Sequence, residues 1–377
     1  MARHVQFSAL GGPEVLEFID AETPPPGPGE VQIAMKAAGL NRAELLFMAG
    51  AYLLPPVPPS RLGFEGAGEI VAAGSGVTPF KPGARVAITP AFKQDAYGVL
   101  GEVINIPARA LEPIPESVSY RDAAAFWMAF GTAYGLLVQC GGLKAGAGQT
   151  VLLNAASSSV GTAAFQIARA NGATVIALTR TEAKVAALKA AGADHVIITA
   201  AEDVAARVRE ITGGKGFDIG CDAVIGEGLG PLAEAAARDA TIVVYGLLSG
   251  ALGPIPFGPM VTQGVKLAGF HLAWSMLDVP ERRKAAVSHL VEGLVSGAYR
   301  PVIDRAFPFE RIREAYAYLA ANKQVGKLSS NFDPTLCLKG YSHAQSQKPN
   351  RDRQSQRRTA AKKTEAGRAL PLHQPLL

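Results

Sequence analysis

Residues 155–161, Ala-Ala-Ser-Ser-Ser-Val-Gly, have the residue types and the spacing to bind a nucleotide. They lie between an apolar run at residues 151–153 and an alanine-rich stretch that begins at residue 163, which predicts a turn from a strand into a helix. The free N–H groups and the dipole of a helix N-terminus favour a bound pyrophosphate. Of the glycines that dinucleotide sites place here, only Gly161 is present, where helix and strand pack closely. Similar turns occur in proteins without nucleotides, so this segment alone leaves binding undecided.

A second group of polar residues lies 18 to 20 residues beyond Gly161, at the end of the next predicted strand. Residues 179–181 read Thr-Arg-Thr, and Lys184 follows them by one helical turn. An Asp or Glu at this point typically binds the ribose diol of NAD, whereas two cations and two hydroxyl groups favour the 2′-phosphate of NADPH. Glu182 is the competing feature, and we interpret it as a first-turn carboxylate stabilised by the helix dipole.

The surrounding sequence predicts the elements that must position these residues. Strands rich in β-branched residues alternate with alanine-rich helices between about residues 122 and 270. The predicted strands are residues 151–153, 174–178, 195–198, 218–222 and 241–245, with helices around 163–168, around 184–191 and between the last two strands. Continuous apolar strands separated by helices indicate an α/β fold with a doubly wound parallel sheet covered on both faces. Gly246 would then end a strand, and the loop through Leu248 would face the cofactor.

The flanking regions predict a different architecture. The first 121 residues are rich in Gly and Pro and have short alternating runs, which predict an all-β body with loops. Its predicted strands are residues 31–37, 69–74 and 84–88, preceded by two short strands around Gly11 and Gly12. A helix at 281–296, strands within 302–309 and a helix at 310–322 follow the α/β region. We therefore expect four regions, which are residues 1–121, 122–270, 271–333 and 334–377.

The charge distribution separates the last region from the rest. Residues 1–333 have a net charge of −2, whereas residues 334–377 have a net charge of +7. This tail lacks apolar periodicity and is predicted to be disordered. Its basic residues are not interleaved with aromatic residues, which is unfavourable for nucleic-acid binding. The stretch at residues 123–143 is uncharged but contains four glycines, and we interpret it as a buried interdomain helix rather than a membrane span.

The cysteines and histidines indicate neither a disulfide framework nor a metal site. Cys140, Cys221 and Cys337 are widely spaced and odd in number, which fits a reducing cytoplasm and excludes a four-cysteine zinc site. Cys140 and Cys221 have apolar neighbours and are expected to be unreactive. The six histidines lack HxxxH and HExxH spacing, which is unfavourable for a metalloenzyme. No secretory signal is expected, because the first 18 residues lack an apolar core.

Several ordered segments resemble the medium-chain dehydrogenase/reductase superfamily, specifically its zinc-free quinone oxidoreductase branch. They are residues 37–41 (AAGLN), 62–68 (LGFEGAG), 76–86 (GVTPFKPGARV), 131–134 (GTAY), 155–161 and the closing Gly326-Lys327. The resemblance covers about residues 5–332. It implies an N-terminal GroES-like β domain, a Rossmann domain, an active-site cleft between them and a return of the chain to the first domain. It also implies a homodimer formed through edge strands of the Rossmann sheet.

The departures from the superfamily pattern concern the metal. Zinc-containing relatives have a cysteine at the position of Asn41, a histidine at that of Phe64 and a cysteine at or near Met128. Zinc is bound by cysteine, histidine or carboxylate ligands, so the residues found here predict that no catalytic zinc site forms. The cysteine cluster of the structural zinc site, expected between about residues 90 and 110, is also missing from the sequence.

Two residues are candidates for catalysis. Asn41 either donates its amide to the substrate oxygen or to the nicotinamide ribose, or caps a loop. Tyr52 matches a tyrosine implicated as proton donor in related enoyl reductases, although the sequence slightly favours the alternative interpretation, an aromatic wall of the cleft. His195 and His271 are interpreted as structural. The resemblance also implies cofactor contacts for Thr132 and Tyr134, which otherwise pack the interdomain helix. The residues expected at the cofactor are Thr132, Tyr134, Ser158, Ser159, Val160, Gly161, Thr179, Arg180, Lys184, Gly246, Leu248 and Phe270.

Two hypotheses of different class follow. The first is an NADPH-dependent reductase that transfers hydride to a quinone or an α,β-unsaturated carbonyl compound without zinc, because the resulting charge spreads onto an oxygen that needs only hydrogen-bond donors and a proton. Such an enzyme serves detoxification or acts as the enoyl reductase partner of a biosynthetic pathway. The second is a non-catalytic NADPH-binding protein whose tail binds a partner or nucleic acid. In either case we expect a cytoplasmic protein with a small-molecule ligand and no membrane contact.

Overall fold

A computed structural model describes residues 1–332 of the chain, and the predicted tail at residues 334–377 lies outside the described residues. The region before residue 120 consists mainly of short strands. Its elements are β1 (Ala2–Phe7), β2 (Leu16–Ala21), β3 (Glu30–Leu40), α1 (Arg42–Met48), β4 (Ser60–Arg61), β5 (Glu65–Ala73), β6 (Arg85–Ile88), β7 (Val103–Pro107) and β8 (Leu111–Pro113). The prediction of a β body is confirmed, whereas helix α1 was not predicted from the sequence.

Strands and helices alternate through the remainder of the described chain. The elements are α2 (Tyr120–Ala124), α3 (Trp127–Tyr134), β9 (Thr150–Leu153), α4 (Ser159–Ala170), β10 (Thr174–Thr179), α5 (Val185–Ala190), β11 (His195–Ile198), α6 (Val204–Ile211), β12 (Phe217–Asp222), α7 (Leu229–Glu234), β13 (Ala236–Val244), α8 (Phe257–Gln263), β14 (Lys266–Gly269), α9 (Pro280–Ser296), β15 (Ile303–Pro308), α10 (Ile312–Ala320) and β16 (Lys327–Asn331). Two π-helical turns, Gly135–Cys140 and Leu272–Leu277, precede β9 and α9. The predicted strands of the α/β region all form, while α6, α8, β14 and β16 were not predicted.

The long strand β3 organises the first region. Antiparallel β5 pairs along one edge of β3, and the other edge is shared by two strands. Residues 30–34 of β3 pair with β7, and residues 37–40 pair with β16. Because β16 also pairs in parallel with β15, the end of the described chain completes the sheet that the start of the chain begins. The expected return to the first region is therefore present.

A six-stranded parallel sheet forms the second region, in the order β11-β10-β9-β12-β13-β14. This is the strand order of a doubly wound dinucleotide fold, in which the chain direction across the sheet reverses between β9 and β12. Val151 and Leu153 pack into one hydrophobic cluster, whereas Leu152 packs into a second cluster on the opposite face. Both faces of the sheet are thus covered, as the uninterrupted apolar strands predicted.

The uncharged stretch at residues 123–143 is helical, but it is not a single helix. Helix α2 ends at Ala124, α3 begins at Trp127, and a π-helical turn follows from Gly135. The Glu65 carboxylate accepts the N–H of Met128 at 2.9 Å, which satisfies a backbone donor that the start of α3 would otherwise leave free. Within residues 1–332 no helix combines the length and the apolar character needed to cross a membrane.

One buried histidine makes the stability of the β region sensitive to pH. His4 in β1 is only 4% exposed, and its Nε2 lies 3.3 Å from the Thr23 hydroxyl oxygen. That hydroxyl donates its own proton to the carbonyl oxygen of Val103 at 2.9 Å, so it accepts from the imidazole. Burial, assisted by the charge of Arg61, lowers the pKa of His4 from 6.5 to about 4.

The free energy of unfolding is therefore expected to fall as the pH is lowered from about 6.5 to about 4. In this window the unfolded chain binds a proton on His4 and the folded protein does not, which favours unfolding by on the order of 3 kcal/mol at the acid end. Denaturant unfolding at both ends of the window, for the wild type and for His4→Gln, measures this contribution. Equal losses of stability in the two proteins would show that other groups cause the pH dependence.

Candidate active site

The turn between β9 and α4 is closed by its own residues. Ser158 is the N-cap of α4, and its hydroxyl oxygen accepts a hydrogen bond from the N–H of Gly161 at 3.1 Å. A Cβ atom at Gly161 would lie 2.1 Å from the carbonyl oxygen of Ala156, so this close approach requires glycine. The N–H groups of Ser159 and Val160, in the first turn, have no intrahelical acceptor. They lie at the carboxyl edge of the sheet, where a phosphate binds in folds of this type.

The last part of the described chain holds this turn from outside. The N–H of Gly326 donates to the carbonyl oxygen of Ser157 at 2.9 Å. Lys184 donates to the Ser157 hydroxyl oxygen at 3.0 Å. It also donates to the carbonyl oxygens of Asn322 and Gln324 at 2.8 and 3.0 Å. An ammonium group has three N–H donors, so a phosphate bound by Lys184 would have to replace one of these acceptors.

Two cations lie together at the end of β10. Thr179 is buried and donates its hydroxyl proton to the carbonyl oxygen of Thr181 at 3.2 Å, which closes the strand end. Arg180 and Glu182 are both exposed, and Arg180 has no ion pair among residues 1–332. Burial lowers the pKa of Lys184, and the charge of Arg180 lowers it further. Two neighbouring cations that repel each other favour an anionic ligand at this strand end.

A polar pair that the sequence did not reveal occupies the point where the sheet reverses. Asn154 follows β9, and its Nδ2 donates to Oδ1 of Asp222 at the end of β12, at 3.0 Å. The buried Asp222 carboxylate also accepts the N–H groups of Val224 and Ile225 at 2.8 and 3.2 Å. Ile225 has a φ of 58°, a strained conformation for a β-branched residue. The sequence contains one signal for this pair: Asn154 and Asp222 are polar residues at the ends of two apolar strands, and these strands are neighbours in the sheet.

Tyr245 is a second residue that sequence reasoning missed. It follows β13, and its buried hydroxyl has no hydrogen-bond partner within the described chain. Burial raises the pKa of Tyr245, while the Ser158 hydroxyl is near enough to oppose this shift without forming a well-directed hydrogen bond. A buried polar group without a partner is unfavourable. Its position beside the N-cap of α4 suits an oxygen atom of a ligand bound at this edge.

Three further residues expected at the cofactor lie on or beside the same edge. Gly246 and Leu248 form the loop after β13, in which the N–H of Leu248 donates to the carbonyl oxygen of Ala223 at 2.9 Å. The Leu248 side chain is exposed, so it is available for contact with a ligand. Phe270 is buried, and a Cβ atom at Gly135 would lie only 2.0 Å from its ring. Phe270 therefore packs against the π-helical turn in this structure.

Thr132 and Tyr134 lie on α3, apart in sequence from the other expected cofactor residues. Thr132 is buried. The Tyr134 ring centroid is 5.1 Å from that of His289 on α9, and the His289 Nε2 is 2.8 Å from the Tyr299 hydroxyl. The structure thus places Tyr134 in the contact between α3 and α9, as in the interpretation that it packs the interdomain helix.

Asn41 lies in a buried polar cluster with one cation and two carboxylates. Lys327 donates to Asn41 Oδ1 at 2.5 Å and forms an ion pair with Glu65. Asn41 Nδ2 donates to Glu65 at 3.2 Å and to the carbonyl oxygen of Gly39 at 3.3 Å. The N–H of Asn41, which is the N-cap residue of α1, donates to Glu44 at 2.8 Å. The amide of Asn41 is thus occupied by protein partners, as in the capping interpretation.

The three positions at which zinc-containing relatives have ligands meet around this cluster. Glu44 accepts the N–H of Phe64 at 2.8 Å, and Glu65 accepts that of Met128 at 2.9 Å. Burial raises the pKa of Glu44, although a hydrogen bond from Tyr316 at 2.6 Å opposes this shift. Across residues 1–332 no three His, Cys, Asp or Glu side chains are grouped to hold a metal ion. These residue types do not fit a catalytic zinc site.

Tyr52 lies beside the polar cluster. Its ring centroid is 5.7 Å from that of Phe64 and 6.4 Å from that of Phe47, and its hydroxyl is 3.1 Å from His271 Nε2. Burial raises the pKa of Tyr52 to about 12, and the charge of Glu44 contributes to the shift. The phenol is therefore protonated at neutral pH. The contact with His271 was not predicted, because the two residues are 219 positions apart.

The remaining candidates are one histidine and the three cysteines. His195 is exposed at the start of β11. Burial raises the pKa of both Cys140 and Cys221, so both are thiols at neutral pH, in agreement with the expectation that they are unreactive. Cys337 lies outside the described residues.

Comparison with known proteins assigns the family. The sequence-family model of the alcohol dehydrogenase GroES-like domain matches residues 27–116. The sequence-family model of the zinc-binding dehydrogenases matches residues 159–290. A quinone oxidoreductase of Pseudomonas aeruginosa is 33% identical over 326 residues, which cover 86% of this chain and 98% of the relative. The chain belongs to the quinone oxidoreductase-like branch of the medium-chain dehydrogenase/reductase superfamily. Membership in this branch places it among the oxidoreductases.

Solved structures of this superfamily show the same fold. The quinone oxidoreductase of Escherichia coli in complex with NADPH is 29% identical, with a TM-score of 0.79 over 87% of this chain and 99% of that chain. An NAD-dependent alcohol dehydrogenase is 31% identical, with a TM-score of 0.77 over 87% of this chain and 99% of that chain. The GroES-like and Rossmann architecture expected from the sequence is therefore confirmed.

Replacing Lys327 by methionine is expected to lower the free energy of unfolding by about 3–5 kcal/mol, because the substitution leaves the buried Glu65 carboxylate without its counter-charge. Denaturant unfolding measures the change. Lys323→Met, on the exposed part of the same segment, is the matched control and should alter stability by less than about 0.5 kcal/mol. The double variant Lys327→Met/Glu65→Gln should regain much of the loss. Similar stabilities of Lys327→Met and Lys323→Met would contradict this role of the ion pair.

Proposed function

We propose that the protein is a zinc-independent, NADPH-dependent reductase that transfers hydride to a quinone or an α,β-unsaturated carbonyl compound. The observation that carries this proposal is the Tyr52 hydroxyl, which meets His271 at 3.1 Å while its ring packs against Phe64. A protonated phenol there supplies the hydrogen bond and the proton that a developing enolate or hydroquinone oxygen requires. The name of the Pseudomonas aeruginosa relative, quinone oxidoreductase, supports the same class of substrate.

The carboxyl edge of the parallel sheet has the groups that a dinucleotide needs. The N–H groups of Ser159 and Val160 suit the pyrophosphate, and the Tyr245 hydroxyl offers a buried donor without a partner in the described chain. The loop of Gly246 and Leu248 lies on the side where a nicotinamide binds in this type of sheet. When bound, a reduced nicotinamide supplies the hydride. The protein itself orients both reactants and provides the proton.

The charge at the end of β10 supports NADPH over NADH. The relatives include one solved with NADPH and one described as NAD-dependent, so the choice depends on the residues of this chain. Arg180 is exposed and has no ion pair among the described residues, which makes it the better candidate for a 2′-phosphate. Lys184 has three protein acceptors and is proposed to hold the turn as well as to add positive charge.

We further propose roles for the two predicted catalytic residues. Tyr52 is the general acid, since it carries a proton at neutral pH and its hydroxyl meets His271, which follows β14 of the parallel sheet. Asn41 acts through Lys327 and Glu65, because its amide is occupied by these groups rather than directed to a substrate. Zinc has no place in this proposal, since Asn41, Phe64 and Met128 do not supply a ligand set for it.

The proposed assembly is a cytoplasmic homodimer. Four large apolar side chains between β13 and β14 are highly exposed; they are Leu252, Ile255, Phe257 and Val261. Such a patch beside the edge strand β14 supports contact with a second copy of the chain. Sedimentation or light scattering gives the mass of the assembly in solution.

Purified protein is expected to oxidise NADPH in the presence of members of a panel of quinones and enones, before and after dialysis against a chelator. Tyr52→Phe should lower kcat about 100-fold or more, because it removes the general acid. Tyr318→Phe is the matched control, because it removes a tyrosine hydroxyl that contacts Asp304 instead. Bound NADPH without oxidation by any acceptor would favour the non-catalytic hypothesis, and activity lost with chelation and restored by zinc would contradict zinc independence.

Arg180→Ala is expected to weaken NADPH binding about tenfold and to leave NADH binding nearly unchanged, because one charge-assisted contact with the 2′-phosphate is lost. Lys184→Ala should weaken both cofactors and lower the melting temperature, since it also releases residues 322–324. Arg238→Ala, an exposed arginine at the opposite end of the sheet, is the control. Dissociation constants for both cofactors give the result. A wild type that prefers NADH would assign the ribose contact to Glu182 instead.

A further inference from the structure

Tyr52 and His271 meet across the boundary between the two sheets. Tyr52 lies on the loop after α1 in the β region, and His271 follows β14 of the parallel sheet. The Tyr52 hydroxyl oxygen and His271 Nε2 are 3.1 Å apart. A hydrogen bond joins them, and the position of its proton decides which residue is the donor.

The other ring nitrogen fixes the tautomer of His271. The backbone N–H of Trp274 donates to His271 Nδ1 at 3.4 Å, where His271 caps the π-helical turn Leu272–Leu277. The N–H of His271 donates to the Ser275 hydroxyl oxygen at 3.1 Å, which holds the backbone of the cap. A nitrogen that accepts a hydrogen bond carries no proton, so the neutral ring has its proton on Nε2.

His271 is neutral at physiological pH. Burial lowers its pKa, and Asp278 only partly opposes this effect. The Nε2–H group therefore donates to the Tyr52 oxygen. A hydroxyl oxygen that accepts this bond keeps its own proton available for another acceptor. The Tyr52 proton is thus left for an acceptor other than His271.

Aromatic packing restricts both rings to this arrangement. The His271 ring stacks on Trp274, with centroids 4.2 Å apart, and the centroids of Tyr52 and His271 are 6.2 Å apart. Phe47 and Phe64 lie against Tyr52 on its other side. The row of rings leaves little freedom for either residue to turn. A side chain held in this way acts on its neighbour by orientation.

We propose that His271 is a positioning residue that donates Nε2–H to the Tyr52 oxygen and thereby directs the Tyr52 proton to the substrate oxygen. This inference rests on the proposed reductase function. After hydride addition the substrate carries negative charge on an oxygen. The Oη–H bond of Tyr52 breaks, and a bond forms between that proton and the substrate oxygen. The phenolate left on Tyr52 is stabilised by Nε2–H and then takes a proton from solvent water, which restores the phenol.

The charged groups around the pair explain why the phenolate needs this donor. Glu44 faces Tyr52, and its negative charge disfavours a phenolate. Asp278 is the charged group that acts on His271. A donor hydrogen bond to the phenolate counteracts the repulsion from Glu44. Loss of the Nε2–H group should therefore slow proton transfer and have little effect on substrate binding.

Two substitutions at position 271 separate positioning from capping. Asn retains an acceptor near the position of Nδ1 and so keeps the cap, but its amide does not extend to Tyr52. Gln places an amide N–H near the position of Nε2 and loses the cap acceptor. We expect His271→Asn to lower kcat roughly tenfold with KM changed less than about twofold, and His271→Gln to recover much of kcat. In a Tyr52→Phe background, His271→Asn should have almost no additional effect.

A higher kcat for His271→Asn than for His271→Gln would overturn the inference, since a histidine that only caps the turn can be replaced by Asn but not by Gln. A full additional effect of His271→Asn in the Tyr52→Phe background would do the same. The melting temperatures of all variants measure how much the loss of the cap destabilises the protein, independently of the kinetic constants.

A second readout does not depend on turnover. Nitrogen NMR of the cofactor-free protein with labelled histidine, assigned by comparison with His271→Asn, should show His271 protonated at Nε2 and unprotonated at Nδ1. The opposite tautomer, or a charged ring at neutral pH, would overturn this inference but not the proposed reductase function. A wild type that reduces no quinone or enone refutes the proposed function and the proton step with it, whatever tautomer the spectrum shows.

Discussion

The ion pair between Lys327 and Glu65 is the interaction on which the active-site side of the structure depends. Both side chains are fully buried, and removing two charges from water costs several kcal/mol for each ion. Further hydrogen bonds help to offset this cost, because Lys327 also donates to Asn41 and Glu65 also accepts the N–H of Met128. The pair thereby fixes the start of α1, the start of α3 and the register of β16 on β3.

The segment that carries Lys327 also holds the turn between β9 and α4. Gly326 donates to Ser157, and the carbonyl oxygens of Asn322 and Gln324 accept from Lys184. Only a few residues therefore separate the contacts to the phosphate side of the cleft from those to the polar cluster. This short segment is thus bound both to the turn and to the polar cluster around Asn41.

The elements predicted correctly are those whose signal is local. Apolar runs ended by small or polar residues predicted five of the six strands of the parallel sheet, all but β14, and Gly161 indicated the close approach of α4 that the structure shows. The polar partners of the site could not be predicted, because Lys327 is 286 residues from Asn41, and its place in the Gly326-Lys327 segment of the family pattern does not reveal that it is buried against Glu65. Helix α1 was missed for a related reason, since its seven residues are stabilised by tertiary contacts rather than by periodicity.

The proposed proton donor, Tyr52, suits a different kind of substrate from the one that a metal ion suits. A zinc ion stabilises charge that is localised on one oxygen, whereas a neutral phenol supported by a neutral imidazole offers hydrogen bonds and one proton. Such donors suffice when the substrate itself spreads the charge over a conjugated system. Tyr52 and His271 come from different sheets, so the donor pair exists only while both sides of the cleft are held together. The contacts of residues 322–327 with both sides meet this requirement.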